Sequence, residues 1–104
     1  MNAQFKKGVL EMCVLSLLSK KDMYGYELTE QIGKEMAVTT GTLYIILKRL
    51  TDEGYFTTYL KESSDGPARK YYTLTEKGHH KQEELKKNWH QFVVRVNRLM
   101  EEVL

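Results

Sequence analysis

The feature that most constrains the fold is a short amphipathic helix followed by two strands that enclose a basic turn. The apolar side chains of this helix recur at helical spacing and form one stripe: Leu43, Ile46, Leu47 and Leu50. The segments Tyr55–Leu60 and Arg69–Leu74 are rich in aromatic and β-branched residues, which predicts two strands. The residues between them, Ser63–Pro67, form a turn cluster. A helix followed by a hairpin with a cationic tip is typical of a winged helix.

Two further helices are predicted before this unit. Phe5–Ser19 is apolar around most of its circumference, which indicates burial on more than one side. After a polar break, Tyr24–Ile32 predicts a second helix. Thr39 or Thr40 can cap the third helix at its start, and Gly54 ends it. The expected order is three helices, a strand, a wing and a second strand.

A long last helix is predicted from Thr75 onward. Its apolar side chains alternate steps of four and three residues, which is the spacing of a coiled-coil seam: Leu85, Trp89, Phe92, Val96, Leu99 and Val103. A helix that trails a small domain has nothing of its own on which to pack this seam, so we expect a homodimer. The fold class is mainly α with a small β-hairpin (α+β). It combines a winged helix-turn-helix DNA-binding domain over residues 1–75 with a C-terminal dimerisation helix over 76–104.

This arrangement predicts binding to double-stranded DNA through the third helix and the wing. The opposite face of the helix presents Lys48, which can reach a phosphate or a guanine. Hydroxyl groups on the same helix can donate to phosphates. The stiff Gly-Pro sequence beside two cations suits the backbone or the minor groove. The expected DNA-binding residues are Thr40, Thr42, Tyr44, Lys48, Gly66, Pro67, Arg69 and Lys70. The net charge of +2 is too small to identify a nucleic-acid binder by itself.

Composition narrows the cellular setting. Of the 104 residues only Cys13 is a cysteine, so no intramolecular disulfide can form, and a buried structural thiol in a reducing cytoplasm is the expected state. Lys6 and Lys7 precede an apolar run, as in a signal peptide. The run is interrupted by Glu11 and lacks a small-residue cleavage site, and it is too short to span a bilayer. We therefore expect a cytoplasmic protein with no membrane partner.

Several motifs, in the same order along nearly the whole chain, resemble the PadR family of transcriptional regulators. The segments that carry the resemblance are Tyr24–Leu28, Gly41–Tyr44 with Leu47–Leu50, Gly54–Tyr55, and Gly66–Thr75 with Gly78. The resemblance implies a homodimeric winged helix-turn-helix repressor with one dimerisation helix. Two positions depart from the family pattern. Ile45 stands where many members have proline, and Tyr24 stands where several have histidine.

Trp89 has two interpretations. From the residues alone it is an aromatic side chain of the dimer seam. The resemblance implies another role, because multidrug-sensing members hold flat aromatic compounds between paired tryptophans at this place in their last helix. The small aromatic effector would then be bound at the dimer interface by Phe5, Gly8, Met12, Trp89 and Val93.

No enzyme, cofactor or metal site is expected. The sequence contains no phosphate-binding glycine loop, no nucleophile elbow and no Cys/His pair with an orienting acid. His79 and His80 are adjacent and so point apart on a helix, while one pair such as His80 and Glu84 does not make a metal site. Two alternatives to a DNA-binding regulator stay open: a winged-helix module that binds protein without sequence-specific DNA binding, and an effector-binding protein that lacks DNA binding.

Overall fold

A computed structural model describes residues 3–102 and shows a winged helix with a long C-terminal helix. The elements are, in chain order, α1 (Ala3–Lys20), β1 (Met23–Tyr24), α2 (Gly25–Gly33), α3 (Thr40–Asp52), β2 (Phe56–Ser63), β3 (Gly66–Leu74) and α4 (Glu76–Glu102). The predicted fold class is therefore confirmed. None of the helices between residues 3 and 102 is both long and apolar enough to cross a membrane.

The three strands form one antiparallel sheet in the order β1-β3-β2. The prediction that Tyr24 opens the second helix was wrong, because Met23 and Tyr24 pair with Tyr72 and Tyr71 of β3. This short strand buries Met23 and leaves the extended Tyr24 as the N-cap residue of α2. Two residues are too few to produce an alternating pattern, and the sequence therefore gave no sign of β1.

The ends of α3 follow the predicted capping chemistry. The backbone N–H of Thr42 donates to Thr39 Oγ1 at 3.2 Å, which identifies Thr39 as the N-cap. Gly54 follows the helix with a φ of 86°, a conformation that residues with a Cβ rarely adopt. These two residues fix the start and the end of the helix expected to contact DNA.

The core lies where α1, α2 and α3 meet the sheet. Its buried side chains include the whole predicted stripe of α3, and the other members come from α1, α2, β1 and the strand ends: Leu10, Val14, Leu15, Leu18, Met23, Leu28, Ile32, Phe56, Tyr72 and Leu74. The remaining apolar residues of α1, such as Val9, Met12 and Leu17, are half-buried. The first helix thus has a second apolar side, as its sequence predicts.

The tip of the wing differs from the prediction. Both strands are longer than expected, and the turn is confined to Ser64–Asp65, while Ser63 ends β2 and Gly66 and Pro67 begin β3. The turn lies within the predicted cluster Ser63–Pro67, but Gly66 and Pro67 belong to the strand because Ser63 pairs with Gly66. Ser63 Oγ accepts from the backbone N–H of Asp65 at 3.3 Å and so helps to close the hairpin.

The start of α4 is packed closely on the connection between α3 and β2. Thr75 Oγ1 accepts from the N–H of Gly78 at 3.1 Å and donates to the carbonyl oxygen of Gly54 at 2.7 Å. A Cβ on Gly78 would lie 2.2 Å from the carbonyl oxygen of Tyr55. This close approach explains the glycine at the position where a capping box has an acid.

After this start, α4 packs along α1. Its 27 residues span about 40 Å, which gives the molecule an elongated shape of 57 × 28 × 20 Å. Leu85 packs against the core and Val96 is half-buried, whereas Trp89, Phe92 and Leu99 are exposed. Val103, the last residue of the predicted seam, lies outside the described residues. The described part of the seam leaves a row of apolar side chains exposed in the single chain.

Candidate nucleic-acid interface

The exposed face of α3 forms a strip opposite the core. Gly41, Ile45 and Lys48 lie on it, and Ile45 is 69% exposed. The ammonium of Lys48 lies 3.0 Å from Asp52 Oδ2, and the side chains of the pair are 78% and 63% exposed. Because exposed ion pairs of this kind stabilise a helix only weakly, Lys48 can exchange Asp52 for a phosphate at little cost.

Tyr44 lies at the edge of this strip and packs on α2. A Cβ on Gly25 would lie 2.3 Å from Tyr44 Oη, so only glycine leaves room for the phenol ring. The ring remains 43% exposed. The Gly25–Tyr44 contact therefore holds α2 and α3 together while it keeps the Tyr44 hydroxyl group near the surface.

The two cations of the wing point to opposite faces of β3, because successive residues of a strand alternate. Arg69 is half-buried, and its guanidinium carbon lies 4.6 Å from the centre of the Tyr24 ring. Lys70 is exposed, and its ammonium lies 5.9 Å from the centre of the Tyr72 ring. Each cation is thus positioned over an aromatic face, which limits its freedom before any ligand arrives.

A stack of tyrosines stiffens the base of the wing. The rings of Tyr59 and Tyr71 are nearly parallel with centres 5.5 Å apart, and Tyr24 lies 5.4 Å from Tyr71 on the other side. Tyr59 Oη donates to Asp22 Oδ2 at 2.7 Å, a hydrogen bond that raises the pKa of the Tyr59 phenol. This bond could not be predicted from local sequence, because Asp22 and Tyr59 are 37 residues apart. These tyrosines therefore pack across neighbouring strands of the sheet.

A cleft of about 410 Å³ separates the wing from α2 and α3. It brings together five of the eight residues predicted to bind DNA: Tyr44, Gly66, Pro67, Arg69 and Lys70. Thr40, Thr42 and Lys48 lie on exposed parts of α3 outside the cleft. The wing and Tyr44 of α3 therefore line one concave surface, while the other predicted residues of α3 lie outside it.

Arg49 has a different role from its neighbour Lys48. Its guanidinium group pairs with Glu11 of α1 and, at 2.8 Å, with Oε2 of Glu53. The Arg49 side chain is only one-third exposed, and it ties α3 to α1. The ion pair between Arg49 and Glu11 could not be predicted from the local sequence, because the two residues are 38 positions apart.

A second groove lies between α1 and α4. It encloses about 470 Å³ and is lined by four of the five residues predicted to bind an effector: Phe5, Gly8, Met12 and Trp89. Val93 lies one turn further along α4 and does not line it. The rings of Trp89 and Phe92 lie 6.2 Å apart, and Trp89 is 38% exposed. This groove opens beside the exposed apolar row of α4.

The histidines form no metal centre within the described part of the chain. His80 lies 3.8 Å from Glu76 on the exposed side of α4. Over residues 3–102, no group of three or more potential metal ligands converges.

Comparisons with known proteins agree with this architecture. A PadR-like transcriptional regulator from Bacillus cereus has a crystal structure similar to this chain, with a TM-score of 0.86 and 41% identity over 94% of this chain and 97% of that one. The negative transcriptional regulator PadR of Bacillus subtilis is 35% identical over 67% of this chain.

The crystal structure of Bacillus subtilis PadR in complex with operator DNA also matches, with a TM-score of 0.66 and 31% identity over 73% of this chain. The match spans less than half of each Bacillus subtilis chain, 41% in the sequence comparison and 45% in the structural one. Residues 14–84 match the Transcriptional regulator PadR-like family, which consists of regulators rather than enzymes. The chain belongs to that family.

Proposed function

We propose that this chain is a homodimeric repressor that binds double-stranded operator DNA through α3 and the wing. The observation that carries the proposal is the cleft that Tyr44 of α3 shares with Arg69 and Lys70 of the wing, next to the exposed face of α3 that presents Lys48. A recognition helix uses such a face for base edges while the wing contacts the backbone. The operator complex of the Bacillus subtilis relative, which is a negative regulator, supports both parts of the proposal.

A second copy of the chain is the proposed partner of α4. Phe92 and Leu99 are 53% and 67% exposed in the single chain, on a helix whose seam has the spacing of a coiled coil. A two-fold axis between the last helices would place the same apolar row of each copy against the other. The two winged-helix domains (the reading heads) would then face adjacent grooves of a pseudo-palindromic site.

Replacing Lys48 with alanine is expected to weaken operator binding and to leave the fold intact. Each Lys48 would contact a phosphate or a guanine, and the loss of such a contact costs about 1–3 kcal/mol. The free protein loses only an exposed ion pair with Asp52. Fluorescence anisotropy with a labelled duplex at constant salt measures the effect. Lys87→Ala removes the same charge from the surface of α4 and is the matched control. Equal operator affinities for Lys48→Ala and Lys87→Ala would contradict the proposal that the exposed face of α3 contacts DNA.

We further propose that the groove between α1 and α4 binds a small flat aromatic effector. Its apolar lining and the exposed Trp89 ring support this proposal. In a dimer the second copy would cover the open side. The effector would relieve repression only if it binds one spacing of the two reading heads better than the other.

The effector site can be tested by fluorescence, because Trp89 is the chain's single tryptophan. Acridine orange is expected to quench Trp89 with a saturable, micromolar dependence. Trp89→Ala is expected to weaken binding of the dye, followed by its own anisotropy, roughly tenfold through loss of the stacked ring. Val94→Ala, a change outside the groove on the same helix, is the control. Linear, unsaturable quenching with unchanged dye anisotropy in Trp89→Ala would contradict an aromatic site.

A further inference from the structure

Two lysines at the start of α1 have no assigned role in the fold. Lys7 is exposed and Lys6 is half-buried. Within the part of the chain that the structure describes, neither ammonium forms an ion pair. Lys6 and Lys7 are therefore free to bind an external anion.

Their position on α1 is unfavourable for the helix itself. The amino end of a helix carries a partial positive charge, which favours acidic side chains and disfavours cations. The first turn of α1 has no acidic residue, and Lys6 falls at its end. A local preference broken without a compensating contact in the fold is expected where a residue serves binding.

The two lysines lie beside the start of α3. They line a cleft of about 540 Å³ together with Thr39 and Thr42, the N-cap and an early residue of that helix. None of the described residues that line this cleft carries a carboxylate. It is also separate from the groove between α1 and α4, which is lined by Phe5, Gly8 and Met12.

The helical geometry of α3 places the lysines opposite the wing. Tyr44 lies on the flank that faces the wing, and Thr42 lies on the flank that faces α1. At about 100° per residue these two positions are roughly 160° apart around the exposed side of the helix. The strip with Lys48 lies between them. The ion pair between Arg49 and Glu11 of α1 confirms that the flank with Thr42 faces α1.

We propose that Lys6 and Lys7 bind DNA phosphates on the side of α3 opposite the wing. A helix in the major groove has a phosphate backbone on each side. The wing would contact one backbone through Arg69 and Lys70, and α1 would contact the other. Because phosphate contacts fix register without reading sequence, the two lysines set affinity and orientation rather than base preference. This inference rests on the proposed DNA binding.

The test compares Lys6→Ala/Lys7→Ala with wild type over a salt series, using an operator duplex and a scrambled duplex. Each lost phosphate contact makes the slope of log affinity against log salt shallower by about 0.9, up to about 3.6 for the four lysines of a dimer. We expect a similar fall in affinity for both duplexes. We also expect an unchanged or higher melting temperature, because alanine is the strongest helix former and the removed cations oppose the helix dipole.

The matched control is Lys20→Ala/Lys87→Ala, which removes two exposed charges elsewhere. Lys20 lies about 21 Å from Lys6 along α1. A slope for Lys6→Ala/Lys7→Ala equal to that of the control would overturn the inference. A loss confined to the operator duplex would also overturn it, since it would indicate contacts to bases. If wild type itself shows no salt-dependent DNA binding, the proposed function fails instead, and the two failures are thereby distinguished.

Discussion

Gly78→Ala is expected to destabilise the fold by about 3 kcal/mol, although the same change in a helix usually stabilises it. The new Cβ would lie 2.2 Å from the carbonyl oxygen of Tyr55 and 2.9 Å from a methyl carbon of Leu74. The Tyr55 carbonyl cannot move easily, because it accepts from the backbone N–H of Thr75 at 3.1 Å. Relief of the clash therefore requires a shift of α4 away from Tyr55 and Leu74.

Thermal unfolding at equal protein concentration measures this effect. For a domain of this size, 3 kcal/mol corresponds to a fall in melting temperature of roughly 12–24 °C. Gly41→Ala is the control, because Gly41 is also helical and has no atom within 4 Å of the added Cβ. This control is expected to stabilise α3 by up to about 1 kcal/mol. Equal melting temperatures for the two variants would show that α4 does not pack on Tyr55 and Leu74 as described.

Leu99→Asp is expected to convert the proposed dimer into a folded monomer with at least a 100-fold loss of operator affinity. Leu99 is 67% exposed in the single chain, so the carboxylate is tolerated there. In the dimer it would be buried near its own copy, where unpaired charges are strongly unfavourable. Linking two reading heads raises affinity by about 10² to 10⁴, and this gain disappears with the dimer.

Sedimentation and DNA binding by the same preparation check this prediction. Asn97→Asp is the control, since it adds the same charge at an exposed position outside the apolar row of α4. A dimer dissociation constant for Leu99→Asp equal to that of Asn97→Asp would exclude Leu99 from the interface.

The features of the fold that depend on local residue spacing were predictable from the sequence. The apolar stripe of α3 recurs at helical spacing, and all four of its members are buried. Thr39 and Gly54 carry the chemistry of helix ends and are found there. Local spacing determines such features, and no distant residue is needed to recognise them.

The parts that depend on distant partners were not predictable. β1 exists because two residues lie against the edge of β3, and Tyr59 finds Asp22 only after the sheet has formed. Arg49 resembles its neighbour Lys48 in sequence but lies on the flank of α3 that meets Glu11. The role of Gly78 likewise becomes visible only when α4 packs on Tyr55 and Leu74.

The candidate site divides in the same way. Its residue types and their order pointed to the recognition helix and the wing, and the resemblance to a family pointed to Trp89. The contact between Gly25 and Tyr44 was not anticipated, nor was the cleft that Lys6 and Lys7 share with the start of α3. Both require the packing of one helix against another, which one-dimensional spacing does not specify.

Binding of wild-type protein to the DNA upstream of its own gene, compared with a scrambled duplex over a salt series, tests the central claim most directly. A dimeric winged-helix regulator is expected to prefer the upstream duplex and to lose affinity steeply as salt rises. Equal, weak and salt-insensitive binding to both duplexes, repeated with other promoter fragments, would contradict DNA binding by α3 and the wing.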